Sequence, residues 1–144
     1  MLILDTDVLS FLEYASMNPR AKHLMDRLEE KRKHERVVTS IISYEEKMRG
    51  WMSSLSKKDT VKGLVNDYRR LRIQLDSFRE MEVVDFDEPA AVRFQALKKS
   101  RLGVGTMDLR ISAIALVHDA TVVTGNVVDF QKVPGLKAIH WDNL

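Results

Sequence analysis

Leu2-Ile3-Leu4-Asp5-Thr6-Asp7-Val8-Leu9-Ser10 places two aspartates directly behind three consecutive aliphatic residues. A run of that kind reads as a short strand buried on both faces, as in the middle of a parallel sheet. A charge abutting such a strand is costly to bury, so Asp5 needs either a partner or a function.

Outward from this strand, apolar segments of two periods alternate. Helices are expected from about Val8 to Tyr14 and from about Arg20 to Lys33, a strand at Arg36–Thr39, and a helix at Ile42–Trp51. Val61, Leu64, Val65, Tyr68, Leu71 and Leu75 recur at helical spacing, which predicts one long helix or a broken pair across Lys57–Glu80. Met81–Asp85 reads as the third strand. Pro89 suits the first turn of a helix reaching about Lys99, and Thr106–His118 forms another helix. Thr121–Val123 is the fourth strand, a turn follows near Val127–Phe130, and Lys137–Ile139 is the last strand. Strands alternating with helices predict an α/β fold, a three-layer α/β/α sandwich around a central, mostly parallel sheet joined by right-handed crossovers. With no repeat, low-complexity tract or Pro/Gly-rich linker in the 144 residues, one domain over 1–144 is expected.

Composition removes several chemistries. The chain has no cysteine, which excludes disulfides, thiolate zinc sites and a cysteine nucleophile, and suits a reducing cytoplasm. His23, His34, His118 and His140 lack paired metal-ligand spacing. Met1–Leu12 carries two acids and no basic leader, so it reads as neither signal peptide nor membrane anchor, and a cytoplasmic protein with no membrane partner is expected. A net charge of +2 supplies little general attraction to nucleic acid. The basic clusters Lys31–Lys33, Arg69–Arg72 and Lys98–Arg101 read more simply as solvated helix faces than as phosphate contacts.

The acids are more informative. Asp5 and Asp7 follow the first strand, Glu46 comes shortly after the second, and Asn126 and Asp129 follow the fourth, all beyond strand carboxyl ends, where open parallel sheets place their sites. Asp108 enters on the first turn of the Thr106–His118 helix, at the same edge if that helix leads back from it. Gathered carboxylates repel, and a divalent cation with a preference for hard oxygen ligands removes the conflict. Two such ions activate a water and stabilise the leaving oxygen of a phosphodiester, so phosphodiester hydrolysis is the natural chemistry. Each acid also has a plainer role. Glu46 completes a capping box with Ser43, Asp108 complements a helix dipole two residues after the presumed cap Thr106, and Asp129 fits a solvated turn.

These segments together resemble the PIN domains. Leu2–Ser10 is similar to their opening strand and first acidic motif, although Asp7 stands where asparagine is frequent; it adds a charge to the pocket or caps the helix. Ser43-Tyr44-Glu45-Glu46-Lys47-Met48-Arg49-Gly50 resembles the second motif, whose glutamate-to-glycine spacing selects Glu46 over Glu45. Gly105–Ala113 resembles the third motif, opened by Asp108. The tail, Val123–Phe130 followed by Val133-Pro134-Gly135-Leu136 and Trp141, is closest to the VapC-like toxins of toxin–antitoxin pairs.

The resemblance implies an endoribonuclease using Mg²⁺ or Mn²⁺. Asp5, Glu46 and Asp108 would be the principal ligands, Asp129 would act directly or through water, and Thr6, Asp7, Thr124 and Asn126 would support them. It further implies an RNA substrate, a cognate antitoxin and a homodimer, with Phe11, Leu12, Trp51 or Met52 as apolar contacts. Lys57–Glu80 matches no motif. Asp5-Thr6-Asp7-Val8 also resembles the opening of haloacid-dehalogenase-like phosphatases, with Asp5 as nucleophile. Such enzymes need a lysine and a further acidic pair on additional strands; the 20 residues after Thr124 contain Lys132 and Lys137 but no matching acidic pair. A receiver-like phosphoryl acceptor would need a lysine after the last strand, and a catalytically silent PIN-like binding module would not need to keep Asp5, Glu46 and Asp108.

Overall fold

A computed structural model describes all 144 residues. Its sheet has five strands, β1 (Leu2–Leu4), β2 (Val37–Ser40), β3 (Val83–Val84), β4 (Thr121–Thr124) and β5 (Lys137–His140), in the order β3-β2-β1-β4-β5. Every pairing is parallel, so the expected "mostly parallel" sheet is wholly so. The chain winds outward from β1 in one direction through β2 and β3, then returns to its other side with β4. That reversal beside β1 is the switch point at which such sheets open a crevice.

Helices cover both faces: α1 (Thr6–Leu12), α2 (Pro19–Arg32), α3 (Ile41–Leu55), α4 (Val61–Glu80), α5 (Glu88–Lys99), α6 (Thr106–Val117) and α7 (Val127–Phe130). Successive strand residues point to opposite faces, and the core follows that alternation. Leu2 and Leu4 pack with Val8, Leu9, Leu24, Leu28 and Phe78 of α1, α2 and α4. Ile3 packs on the other side with Val38, Val122, Ile111, Ile114 and Phe130. Helix α6 is enclosed along most of its length, with Leu109, Ile111, Ser112, Ala113, Ile114 and Ala115 all buried; its small residues let it lie close against the sheet.

Where element ends differ from expectation, a local hydrogen bond explains the difference. Helix α1 starts at Thr6 because the Asp5 side chain accepts from the Thr6 N–H as its N-cap. The cap of α3 is Ser40, whose Oγ accepts from the Ser43 N–H, so the capping box proposed from Ser43 to Glu46 does not form. Helix α6 is entered from Gly105 with no side-chain cap, which removes the capping role given to Thr106. The 57–80 segment resolves into one helix, α4, capped by Thr60 and packed against α3. The third strand shrinks to Val83–Val84, because only these residues find partners on β2. No helix is long and apolar enough to cross a membrane.

Candidate active site

The carboxyl edge of β1 and β4 collects the acids. Asp5 leaves the end of β1 with its side chain almost fully buried. Its Oδ1 accepts from the Thr6 N–H at 2.7 Å and its Oδ2 from the Thr124 hydroxyl, also at 2.7 Å. The Thr124 oxygen in turn accepts from the Asn126 N–H at 2.9 Å, so the end of β4 and the turn after it fix the Asp5 carboxyl from one side. Asp7, in the first turn of α1, accepts from the Gly125 N–H at 2.8 Å. It therefore ties α1 to the β4 turn and does not cap α1, the role held by Asp5. Gly125 is required by that approach, because a Cβ there would stand 2.7 Å from the Asp7 Oδ2 and 3.4 Å from the Trp141 Nε1.

Glu46 lies on the second turn of α3, where its Oε1 accepts from the Thr6 hydroxyl at 2.7 Å. Glu45 pairs instead with Arg49 at 2.6 Å and Arg110 at 3.6 Å, whereas Glu46 has no cation partner. Asp108 projects from the first turn of α6 and senses Glu46, Asp129 and Asp7 electrostatically. Asp129, on α7, accepts from the Asn126 amide at 2.8 Å and pairs with Lys132.

The electrostatics follow from these partners. Burial pushes the Asp5 carboxyl from 3.8 up to about 7, opposed by the Thr124 hydrogen bond and reinforced by the charge of Asp7. Burial raises Asp108 as well, followed by repulsion from Glu46, Asp129 and Asp7. Asp129 is held below its ordinary value by the hydrogen bonds from Lys132 and Asn126. Lys132 is engaged by Asp129, Arg110 by Glu45, and Lys47 by Glu13 at 2.6 Å, which leaves Asp5 and Asp108 facing other carboxylates.

This donor set fits a hard divalent cation. It is all oxygen, and its two most shielded members are carboxyls that mutual repulsion and burial keep from ionising freely. No three acids or histidines converge tightly enough to ligate one ion directly in this arrangement. Thr6 holds Glu46 and Asn126 and Lys132 hold Asp129, each with a protein donor in place of an ion. Mg²⁺ does not need a closed triad, since it commonly keeps several waters and takes one or two carboxylates.

The profile of the PIN domain family matches residues 2–136. The chain belongs to the PIN domain family. It is 26% identical to Ribonuclease VapC1 of Haemophilus influenzae (strain R2866) over 96% of each chain. A 74-residue stretch, 48% of this chain, is 31% identical to Ribonuclease VapC2 of Rickettsia felis. Among solved structures, DNA-bound VapBC from Salmonella typhimurium superposes with a TM-score of 0.76 at 25% identity over 97% of each chain. VapBC2 of Rickettsia felis bound to a promoter DNA fragment superposes at 0.75 with 24% identity over 98% of each chain, a likeness of fold.

Membership in the PIN family displaces the phosphatase and receiver readings of the Asp5-Thr6-Asp7 run. The structure brings all eight residues singled out from the sequence to one edge: Asp5, Thr6, Asp7, Glu46, Asp108, Thr124, Asn126 and Asp129. It adds three that the sequence reading left unused as site residues. Gly125 forms the contact with Asp7, Lys132 neutralises Asp129, and Trp141 borders the pocket beside Gly125. The three-residue spacing of Asp129 and Lys132 at a helix end carried a readable signal. The placement of Trp141 carried none, since it depends on how β5 returns beside β4. Of the apolar residues proposed for partner contacts, Phe11 and Leu12 pack against the core and Trp51 lies under Arg70, leaving Met52 exposed.

Proposed function

We propose that this PIN-family chain is a metal-dependent endoribonuclease, the toxin of a toxin–antitoxin pair. The observation that carries the reading is the pairing of Asp5 and Asp108 at the switch-point edge, both with carboxyls pushed upward and neither paired with a protein cation. The likeness to Ribonuclease VapC1 along nearly the whole chain supports RNA as the substrate. The VapBC complexes among the structural neighbours support an antitoxin partner.

Asp5, Glu46 and Asp108 would hold Mg²⁺ or Mn²⁺, with Asp129 joining directly or through water. A bound ion of this kind supplies an activated water and charge neutralisation at phosphate. The chain's own residues do the positioning. The Thr6 N–H and Thr124 hydroxyl each occupy one Asp5 oxygen and fix the plane of the carboxyl. The Thr6 hydroxyl restrains Glu46, linking α1 to α3 across the pocket. Asn126 orients both Thr124, through its N–H, and Asp129, through its amide. Near neutrality Asp5 shares its site with a proton, which ion binding would expel to solvent.

The test is cleavage of total cellular RNA by purified protein with Mg²⁺, with Mn²⁺ and with EDTA, beside Asp5→Asn. Metal-dependent cutting that Asp5→Asn abolishes is the expected result. A folded, partner-free protein that cuts under no condition would overturn the reading in favour of a silent binding module. We also propose a homodimer, using the exposed apolar edge of α3 at Ile41 and Met52; light scattering that finds a monomer at working concentration would refute it.

A further inference from the structure

A second cleft adjoins the acidic pocket. It has a volume of about 230 Å³ and lies between α2 and the turn Trp141–Asn143 that follows β5. Arg20, His23 and Arg27 recur at three and four residues along α2, which puts them on one face, toward Trp141 and Asp142.

Both guanidiniums in this cleft are anchored. Arg20 stacks over the Trp141 ring, 5.0 Å from its centroid, and donates to the Asp142 carboxylate at 2.8 Å. Arg27 donates to the Asp142 carbonyl at 2.9 Å. Trp141 also packs against Phe11, with centroids 4.5 Å apart. Exposed arginine pairs contribute little to stability, so stability does not account for two forks fixed by one residue. Each fork has five N–H donors and commits one of them here, leaving planar arrays suited to phosphate oxygens. Two arginines against one aspartate also make the cleft positive, directly beside a pocket of carboxylates. The join is short, because the Trp141 Nε1 and the Asp7 Oδ2 flank the same point above Gly125, at 3.4 and 2.7 Å.

Building on the ribonuclease reading, we propose that this cleft holds a phosphate of single-stranded RNA flanking the one that is cut, with Arg20 and Arg27 as its donors. The positive cleft would recruit the strand, and the acidic pocket would take the scissile phosphate only when an ion has neutralised it. Trp141 serves as the platform that keeps Arg20 in plane and as the wall between the two subsites.

The test is anisotropy of a labelled single-stranded RNA in EDTA across a salt series, with RNA integrity checked on a gel and folding by circular dichroism. R20A/R27A should bind at least about tenfold more weakly, and its log–log salt slope should fall by about 0.7, the value for one lost phosphate contact on a single strand. R20K/R27K should keep the slope, because the charges remain. K98A/K99A, on the last turn of α5, should bind as the parent does. A parent-like slope in R20A/R27A, or an equal loss in K98A/K99A, would overturn the proposal. Cleavage by the parent protein with Mg²⁺, run in parallel, separates the two ideas. A parent that cuts RNA while R20A/R27A binds normally refutes the cleft alone, and a parent that neither binds nor cuts refutes both.

Discussion

The two ends of the acidic pocket are built from the same kind of residue and behave in opposite ways. Asp5 sits at the end of the central strand, enclosed by β1, β4 and α1, and its carboxyl is pushed up to about 7. Asp129 sits on the short helix α7 at the surface, where Lys132 and Asn126 hold its carboxyl down. The difference lies in what each environment supplies. The enclosed end offers hydroxyl and amide donors but no positive charge, whereas the open end already contains its counter-ion. The enclosed end is therefore where an added cation gains most, and the open end is where it gains least.

The largest effect should come from removing charge at the enclosed end. Asp5→Asn and Asp108→Asn should each lower metal-dependent RNA cleavage by on the order of a thousandfold or more, with far-UV dichroism unchanged, since the loss of an electrostatic contact to the transition state is worth several kcal/mol. Parent-like rates in either variant would mean that the pocket has been misassigned. Asp129→Asn should cost about tenfold or less, because Lys132 already offsets that carboxylate. A loss as deep as that of Asp5→Asn would erase the contrast between the two ends.

Stability should report the same asymmetry through pH. The Asp5 carboxyl binds its proton more tightly in the folded chain than in the unfolded one. Its contribution to metal-free stability is therefore complete below about 4 and is lost as pH rises through about 7. The full swing is on the order of 4 kcal/mol. The melting temperature of the EDTA-treated protein should fall from pH 5 to pH 8, and Asp5→Asn should flatten that dependence. Mg²⁺ at about a hundred times its dissociation constant should restore about 2.7 kcal/mol at the alkaline end. A metal-free melting temperature that rises across this interval would contradict the burial argument.

The smallest expected effect concerns the contact that closes the enclosed end. Gly125→Ala would drive a Cβ to 2.7 Å from the Asp7 Oδ2. The Asp7 carboxylate can swing aside, at the cost of its bond to the Gly125 N–H. A loss of about 1 kcal/mol in chemical denaturation is expected, with a modest fall in cleavage. No change in either would show that the tie between α1 and the β4 turn has no energetic weight.

Much of this was legible in the residues because it is local. The aliphatic triplet before Asp5, the alternation of periods and the position of each acid relative to a strand end are one-dimensional patterns. They led to the α/β sheet and to Asp5, Asp7, Glu46, Asp108, Asn126 and Asp129 at its edge, while Thr6 and Thr124 came only with the resemblance to PIN domains. The misreadings were also local. Ser43 and Thr106 have the chemistry of caps, but each lies three residues or one residue beyond the cap actually used, Ser40 or Gly105. Helix starts are decided by where the preceding strand or loop releases the chain, which side-chain type alone does not encode.

What the sequence by itself determined is therefore the inventory: buried parallel strands, helices between them, and carboxylates delivered to one edge. The tertiary structure alone decided how those carboxylates differ. The Thr124 hydroxyl reaches Asp5 across 119 positions, the Thr6 hydroxyl reaches Glu46 across 40, and the Gly125 amide reaches Asp7 across 118. Each bond exists because β4 and β2 flank β1 in register and bring their carboxyl ends level with its own. The shift in Asp5 and the placement of Trp141 beside Gly125 follow from that convergence. Desolvation and charge depend on distance in space, and along the chain these partners are far apart.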